Sequence, residues 1–391
     1  MTKQEAILEE SNKTIIPHHG SRLLAVTRGE GSKLWDADGN EYIDLFPGFG
    51  STVVGHCHPK IVEAISSQAR KLCVHGNLFI NEPAIELGHA ITHRAFGGKV
   101  FFCHGGSDAN EAALKLVRRS AGDGRYKIIS FHGCFHGRTM GSLSLTPESF
   151  QTGFEPMLPG NVKATYGDLE SVKAVIDGET AGVFVEPFQM EGGLNIPTKE
   201  FMRGLRQLCD EYNLLLVCDE VWTAPARTGT WFGYHHFGIE PDVMTLAKAI
   251  GGGAPVGVCV ASPKYADVLG PGTHASTTGG NPLCAAAGLA AMKLIEEEGL
   301  VERAGMLGRR ALEQLRAADI PSAVDIRGVG ALVGVQLEES RPAADVFRTC
   351  MQRGVLVCTA QKNVVRIAPA LTIEEDMLHK GIEILVSVMK S

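Results

Sequence analysis

The sequence predicts an α/β protein whose central sheet is largely parallel and covered by helices on both faces. Apolar, strand-like runs alternate along the chain with helical stretches, and no internal repeat or low-complexity linker interrupts that order. The 391 residues, 44% of them hydrophobic and 21% charged, form a globular chain too long for one ordinary core. Two domains are therefore expected.

The middle of the chain carries the predicted sheet. Its strand candidates are Lys99–Cys103, Lys127–Phe131, Gly182–Glu186, Leu214–Asp219, Asp242–Leu246 and Val256–Ala261. Helix candidates between and after these strands are Ser107–Ser120, Lys199–Tyr212 and Asn281–Glu298. Strands that alternate with helices in this way are typical of a parallel sheet.

The two ends of the chain differ from this pattern. Gly29–Tyr42 predicts a short hairpin with its turn at Asp38-Gly39-Asn40. After about residue 299, two helical patterns bracket short strands near Gly330–Gln336, Val355–Cys358 and Val364–Ile367. We expect both ends to form one small α+β domain beside a large domain, with the divisions 1–50, 51–289 and 290–391.

Charge and cysteine usage exclude several kinds of protein. The net charge of −7 does not suggest nucleic-acid binding, and no apolar run approaches the ~18 residues of a membrane span. The N-terminus lacks the apolar segment of a signal peptide, so a cytoplasmic location is expected. The ten cysteines form no CxxC pair and are read as reduced thiols. Although His56-Cys57-His58 invites a metal interpretation, adjacent side chains point apart, and we expect no metal site.

Two polar residues end neighbouring apolar runs in the central domain. Asp219 closes Leu214-Leu-Leu-Val-Cys-Asp219, and Lys248 follows Val243-Met-Thr-Leu-Ala and precedes the glycines at 251–253. Pyridoxal phosphate requires such a pair, because an amine forms the Schiff base and a carboxylate holds the pyridinium proton. The sequence therefore predicts this cofactor.

Two loops that follow strands add candidate contacts to the phosphate and the ring. Gly106 and Ser107 open a helix, where free N–H groups attract phosphate, although Ser107 could equally cap that helix. Phe135 could stack on a flat heteroaromatic ring or pack in the core. Arg138, in the same loop, has the forked donor geometry that suits a substrate carboxylate.

Two later loops are less specific. Glu191 lies in Glu186-Pro-Phe-Gln-Met-Glu191, where an exposed loop position is the alternative. Ser276 and Thr277 precede two glycines and an apolar helix, a pattern that also describes a simple helix cap. Ligands of open α/β sheets bind at the carboxyl edge of the strands, so we expect all four loops to meet Asp219 and Lys248 there.

Taken together, these motifs resemble the class III (ornithine-type) aminotransferases, which have the aspartate-aminotransferase fold (fold type I) of pyridoxal phosphate enzymes. The similarity runs from Arg28–Tyr42 and Gly55-His-Cys-His-Pro59 to Arg366–Ile373, nearly the whole chain. Asn77–Pro83 and Phe135-His-Gly-Arg138-Thr resemble the acetylornithine branch of the family most closely.

The resemblance implies a role for each candidate residue. Lys248 would be the Schiff-base lysine and Asp219 the partner of the ring nitrogen, while Gly106 and Ser107 would bind phosphate and Phe135 would stack on the ring. Thr277 would bind the phosphate held by the neighbouring subunit, with Ser276 near the substrate, which implies a homodimer with interfacial sites. Arg138 would bind the α-carboxylate and Arg366 the second carboxylate of 2-oxoglutarate, with Glu191 covering Arg366 for other substrates.

Three positions depart from the family pattern. Trp222 stands where the family usually has a Gln that bonds the ring 3-oxygen, Thr278 where an aromatic is usual, and His104 where Asn is usual. An indole N–H can donate one hydrogen bond, but its bulk can instead reshape the pocket. These departures bear on substrate identity more than on the cofactor.

The implied activity is transfer of the terminal amino group of N2-acetylornithine to 2-oxoglutarate, as in arginine biosynthesis. The nearest alternatives are other ω-amino donors: ornithine, succinylornithine, 4-aminobutyrate or a diamine. Paired Arg138 and Arg366 favour an α-amino acid over a diamine, and an aminomutase has no need of a dicarboxylic keto-acid site. A non-catalytic binding protein would not need Lys248 and Asp219, and Gly105-Gly106-Ser107 does not match the dinucleotide fingerprint.

Overall fold

The computed structural model describes residues 1–18, 22–122 and 124–391. Its α-helices are α1 Lys3–Thr14, α2 Pro59–Ala69, α3 Glu82–Arg94, α4 Gly106–Ala121, α5 Met140–Leu145, α6 Leu169–Lys173, α7 Lys199–Glu211, α8 Pro282–Glu297, α9 Leu300–Ala317, α10 Ala343–Gln352 and α11 Glu375–Lys390. Its strands are β1 Val26–Glu30, β2 Lys33–Asp36, β3 Glu41–Asp44, β4 Lys99–Cys103, β5 Lys127–Phe131, β6 Asn161–Ala164, β7 Thr180–Val185, β8 Leu215–Asp219, β9 Val243–Leu246, β10 Gly257–Ala261, β11 Ala323–Val329, β12 Leu332–Leu337, β13 Val355–Leu356, β14 Cys358–Ala360 and β15 Val364–Ile367.

The central sheet has seven strands in the order β4-β10-β9-β8-β7-β5-β6. Only β10 runs against its neighbours, since its pairings with β4 and β9 are antiparallel and the remaining pairings are parallel. The carboxyl ends of β8 and β9 therefore lie side by side at one edge. Asp219 ends β8 at that edge, and Lys248 follows the end of β9 by two residues.

Helices cover both faces of this sheet. Along β8, Leu215 and Val217 pack with α4 on one face, while Leu216 and Cys218 pack with α7 on the other. The alternation follows from the period of two along a strand. Because both faces are apolar, β7, β8 and β10 are buried throughout, and polar side chains in these three strands are confined to the strand ends.

The remaining strands form two small sheets. One has the order β1-β2-β3-β13, so residues from both ends of the chain pair in it, and the other has the order β11-β12-β15-β14. Arg327 on β11 donates from Nε to the carbonyls of Gly193 and Leu194 at 3.1 and 3.0 Å. These bonds tie the C-terminal sheet to the loop after β7.

The predicted fold class is confirmed: a mainly parallel sheet with helices, and smaller sheets built from the two ends. Every strand and helix predicted for the large sheet is present: β4 and β5 have the predicted bounds, and the other bounds differ by at most two residues. The domain limits stay a prediction, and the limit at 289/290 lies inside α8.

Several elements were not predicted. The strand β6 and the helices α2, α3, α5 and α6 lie in stretches that carried no assignment, and β11 and α10 add to the C-terminal pattern. The hairpin is the β2–β3 part of a three-stranded meander, with its turn at Asp38-Gly39-Asn40 as predicted. Among the described residues, no helix combines the length and apolarity needed to cross a bilayer.

Candidate active site

A cavity of about 370 Å³ opens at the carboxyl edge of β8 and β9. This volume is within the roughly 300–1,000 Å³ typical of small-ligand sites. Its walls include six of the predicted residues, Gly106, Ser107, Phe135, Asp219, Trp222 and Lys248. These six residues come from four separate parts of the sequence, which the fold brings to one site.

Asp219 is buried at the end of β8 and is held as a carboxylate. His136 Nδ1 and Asn110 Nδ2 both donate to Oδ2 at 2.8 Å, and the Val221 N–H donates to Oδ1 at 3.0 Å. Burial alone would raise the pKa of Asp219, but the hydrogen bond and charge of His136 and the other two donors lower it below its ordinary value. Among the described residues, Oδ1 accepts only one hydrogen bond, so it can accept another from a protonated ring nitrogen.

Sequence reasoning did not assign His136 and Asn110 to the site. His136 is 1% exposed, and its pKa, which burial would lower, is raised by Cys134 and Asp219. Asn110 also donates to the His136 carbonyl at 2.7 Å and accepts from Thr245 Oγ1 at 2.8 Å. A signal for Asn110 existed, because it lies three residues after Ser107 and therefore on the same face of α4.

Lys248 begins a 3-10 turn, Lys248–Gly251, directly after β9. Its φ of 49° is in the left-handed region, which non-glycine residues adopt at a cost of order 1–3 kcal/mol. Burial lowers the pKa of its amine to about 8, against the opposing pull of Asp219 and Glu191. The neutral form that a nucleophile or base needs is therefore populated to roughly a tenth at pH 7, whereas an amine with the ordinary pKa of about 10.4 would be almost wholly protonated.

The start of α4 is open to an anion. No side chain caps the helix: Ser107 Oγ instead accepts the Arg138 N–H at 3.0 Å, so the capping alternative is wrong. A Cβ at Gly106 would meet the Val221 side chain at 3.0 Å, which shows how closely this backbone approaches its neighbours. The free N–H groups at this helix start can receive a phosphate.

The cavity walls combine aromatic rings with a buried acid. Phe135 and Trp222 both line the cavity, and the Phe135 N–H donates to Glu186 Oε2 at 3.1 Å. Burial raises the pKa of Glu186 well above its usual range. The sequence pattern assigned no role to Glu186, the first residue of the motif that contains Glu191, but the structure places it in the cavity wall.

Arg366, on β15, is 1% exposed and paired with Glu191. Its Nη1 and Nη2 both approach Glu191 Oε1 at 3.2 Å, and backbone carbonyls of Met190 and Thr359 accept at 2.7 and 2.8 Å. Glu191 keeps 31% of its side chain exposed. A carboxylate that leaves toward solvent would free a buried guanidinium for another carboxylate.

Arg138 is exposed beside the cavity. Its Cζ lies 4.4 Å from the ring centroid of Phe150 and 5.4 Å from that of Phe135, so the guanidinium is held by cation–π contacts. Thr139 Oγ1 and the Gly141 N–H donate to Glu111 Oε1 at 2.6 and 2.8 Å, which fixes the loop that carries Arg138. The forked donors remain available to a ligand.

The predicted residues Ser276 and Thr277 lie outside the cavity of their own chain. Thr277 is exposed, and Ser276 Oγ accepts the Gly279 N–H at 3.0 Å. The next residue, Thr278, has its Oγ1 2.5 Å from His104 Nε2. Two of the three departures from the family pattern therefore contact each other, beside the start of α4.

These residues fit pyridoxal phosphate. Asp219 presents an ionised carboxylate to the cavity, Lys248 a buried amine of lowered pKa, and the start of α4 uncapped N–H groups. Phe135 supplies an aromatic face at the cavity wall. The donor set matches a cofactor with a phosphate, an aldehyde and a ring nitrogen, so fold and site define a fold type I pyridoxal phosphate enzyme.

Comparison with known proteins gives the family. The class-III aminotransferase family matches residues 15–389, and the chain belongs to it. It is 40% identical to an acetylornithine aminotransferase from Caldanaerobacter subterraneus, over 94% of each chain. It is 39% identical to a succinylornithine transaminase from Salmonella newport, over 96% of this chain and 94% of that one.

Solved structures agree with this assignment. An ornithine aminotransferase from Toxoplasma gondii, described with pyridoxal phosphate at its active site, superposes with a TM-score of 0.94 at 29% identity. The match covers 100% of this chain and 94% of the other. The protein is thus a pyridoxal-phosphate-dependent transaminase, as predicted.

Proposed function

We propose that this enzyme transfers the terminal amino group of N2-acetylornithine to 2-oxoglutarate, producing N-acetylglutamate 5-semialdehyde and glutamate. The observation that carries the proposal is the Arg366–Glu191 pair in reach of the same aromatic wall as Lys248. Such a pair lets one site serve a dicarboxylic acceptor and a donor that lacks the second carboxylate. The identity to acetylornithine aminotransferases supports this choice of donor.

Bound pyridoxal phosphate supplies an electron sink for the electrons left when the donor loses a proton. Lys248 is the general base: its amine takes that proton from the carbon bearing the amino group and would deliver it to the bound cofactor within the same half-reaction, and in the second half-reaction it would carry a proton in the opposite sense, to the α-carbon of the acceptor. Asp219 would accept a hydrogen bond from the protonated ring nitrogen, and His136 with Asn110 keeps its carboxylate in place. The start of α4 orients the phosphate.

Substrate carboxylates are held by two arginines. Arg138 binds the α-carboxylate, and Arg366 binds the second carboxylate of 2-oxoglutarate once Glu191 has moved aside. With acetylornithine in the site, Glu191 returns to Arg366 and leaves no buried cation unpaired. The exposure of Glu191 is what makes this exchange feasible.

The functional unit we propose is a cytoplasmic homodimer. Thr277 is exposed and outside its own cavity, which suits contact with the phosphate of the neighbouring subunit, with Ser276 near that subunit's substrate. Site residues drawn from a partner would make each cavity complete only in the dimer. We propose the same divisions as above for the domains, residues 1–50 and 290–391 against 51–289.

A panel of donors tests the proposal directly. Acetylornithine, succinylornithine, ornithine and 4-aminobutyrate are each assayed with 2-oxoglutarate and with pyruvate, following glutamate or alanine formation. We expect acetylornithine with 2-oxoglutarate to give the highest kcat/KM. Succinylornithine is the second candidate, because of the relative with that activity. Equal rates with acetylornithine, ornithine and 4-aminobutyrate would refute the donor assignment.

Arg366→Ala should impair the 2-oxoglutarate half-reaction more than the donor half-reaction. Loss of a buried charge-assisted carboxylate contact of about 2 kcal/mol corresponds to roughly 30-fold in affinity for 2-oxoglutarate. Single-turnover kinetics of each half-reaction measure the two effects separately. Glu191→Gln is the matched control, because it removes the competing charge and should lower the KM for 2-oxoglutarate. Equal losses in both half-reactions would contradict the role given to Arg366.

A further inference from the structure

Trp222 lies within cation–π distance of both cations of the site. Its ring centroid is 4.3 Å from Lys248 Nζ and 5.8 Å from Arg366 Cζ. Phe46 extends the same wall, with ring centroids 5.2 Å apart, and Arg366 Cζ lies 5.5 Å from Phe46. Aromatic faces attract cations, so this wall holds both charges that the reaction uses.

The indole is fixed in place by its neighbours. It is 8% exposed and packs with Phe46, Met190 and Leu332. A Cβ at Gly50, whose φ is +85°, would lie 2.9 Å from Cε3 of the indole and closer still to Cζ3. The benzo edge of Trp222 therefore fits against a position where the chain has glycine, and the ring cannot swing that way to admit a larger ligand.

Trp222 also leaves one donor unused. Among the described residues, no acceptor forms a hydrogen bond with its indole N–H, although the ring lines the cavity. The side chain thus has no structural partner for its polar group. Its contacts are with the cations of the site and with the apolar packing behind them.

We propose that Trp222 is a specificity-determining residue that limits the width of the site between the amine of Lys248 and the guanidinium of Arg366. The ring fills the space beside the reacting amine, so the site takes donors with an unbranched aliphatic chain next to the transferred amino group and rejects branched or aryl-bearing amines. The inference rests on the proposed function for the roles of Lys248 and Arg366. It does not depend on which unbranched donor is preferred.

Three substitutions test the proposal in the cofactor-loaded enzyme. Trp222→Leu removes the aromatic face and most of the volume, whereas Trp222→Phe keeps a smaller ring. Trp231→Phe is the matched control: Trp231 stacks on Arg94 at 4.7 Å but does not line the cavity. The donors are acetylornithine and 1-phenylethylamine, each with 2-oxoglutarate as acceptor.

For Trp222→Leu we expect the ratio of kcat/KM for acetylornithine to that for 1-phenylethylamine to fall by about 10- to 200-fold, the range that small volume changes in a pocket produce. The ratio for Trp222→Phe should lie between those of the wild type and Trp222→Leu, and the ratio for Trp231→Phe should equal that of the wild type. An unchanged ratio in a Trp222→Leu protein with native melting temperature and visible band would overturn the proposal. If acetylornithine proves a poor donor for the wild type, the proposed function fails, while the shift in ratio still decides the role of Trp222.

A readout without turnover supports the test. Pyridoxal phosphate added to apoprotein should quench tryptophan fluorescence, and most of that quenching should disappear in Trp222→Phe but not in Trp231→Phe.

Gly50→Ala should reduce the melting temperature more in the wild type than in the Trp222→Leu background. In that background the clash with the indole is absent, while the backbone strain at position 50 stays. Equal effects in both backgrounds would show that Trp222 is not held against Gly50, and would overturn the width limit.

Discussion

Lys248→Ala is expected to reduce kcat with acetylornithine by at least about 10²–10⁴-fold, the contribution typical of a general base. The variant should also lack the visible absorbance band of the lysine-linked cofactor. Both losses follow from removal of one buried amine at the end of β9. Absorbance of the purified protein and single-turnover assays measure them. A variant that keeps the band and more than a tenth of the rate would contradict the assignment.

The pH dependence of the same step has a defined sign. The pKa of the Lys248 amine is about 8, so the neutral form that accepts a proton accumulates as pH rises through that value. The donor half-reaction should therefore accelerate as pH rises through about 8, where half of the amine is neutral, and level off roughly one pH unit higher. In Lys248→Ala, a small exogenous amine should restore part of the rate, with a pH dependence set by that amine's own pKa.

Asp219→Asn is expected to cost about 10²–10³-fold in kcat, because the fixed charge that stabilises the protonated ring nitrogen is lost. The amide also cannot accept from all three present donors, since one of its two polar atoms is itself a donor and would face His136, Asn110 or the Val221 N–H. We expect weaker binding of the cofactor as well. Titration of apoprotein with pyridoxal phosphate and single-turnover kinetics measure the two losses.

Two controls separate charge from geometry. Asn110→Asp should add a second carboxylate beside Asp219 and raise the pKa of the pair, whereas Thr245→Val removes only the bond that orients Asn110. We expect a large loss for the former and a small one for the latter. If Asp219→Asn and Thr245→Val lose rate equally, the charge of Asp219 is not what the enzyme uses.

Asp219 and Lys248 could be predicted because each is the first charged residue after an apolar run, where buried strands rarely place one. The partners of Asp219 could not be predicted. His136 and Asn110 are 83 and 109 positions away from it, and only the folded sheet brings them together. The left-handed φ of Lys248 likewise depends on the packing of the turn after β9.

The helices α2 and α3 show a different limit. Asn81 caps α3 by accepting the Ala84 N–H at 2.9 Å, and a proline stands in the first turn of each helix, so start signals were present in the sequence. The apolar face of α2 is short, since only Ile61 is buried in it, whereas α3 buries Ala84, Leu87, Gly88 and Ile91 at helical spacing, a periodicity that was present in the sequence but received no assignment. The roles of Ser276 and Thr277 depend on a second chain, which one sequence does not position.

The bonds from Arg327 to the carbonyls of Gly193 and Leu194 join the sheet that carries Arg366 to the loop that carries Glu191. The distance between Lys248 and Arg366, the proposed reacting amine and carboxylate-binding arginine, is therefore set by a contact between two separately built sheets. We expect substitutions at this contact to change the length of substrate that the site accepts without altering Lys248 or Arg366. In this molecule, the substrate length that fits depends on the packing between the two sheets, whereas the reaction depends on residues at the carboxyl ends of β8 and β9.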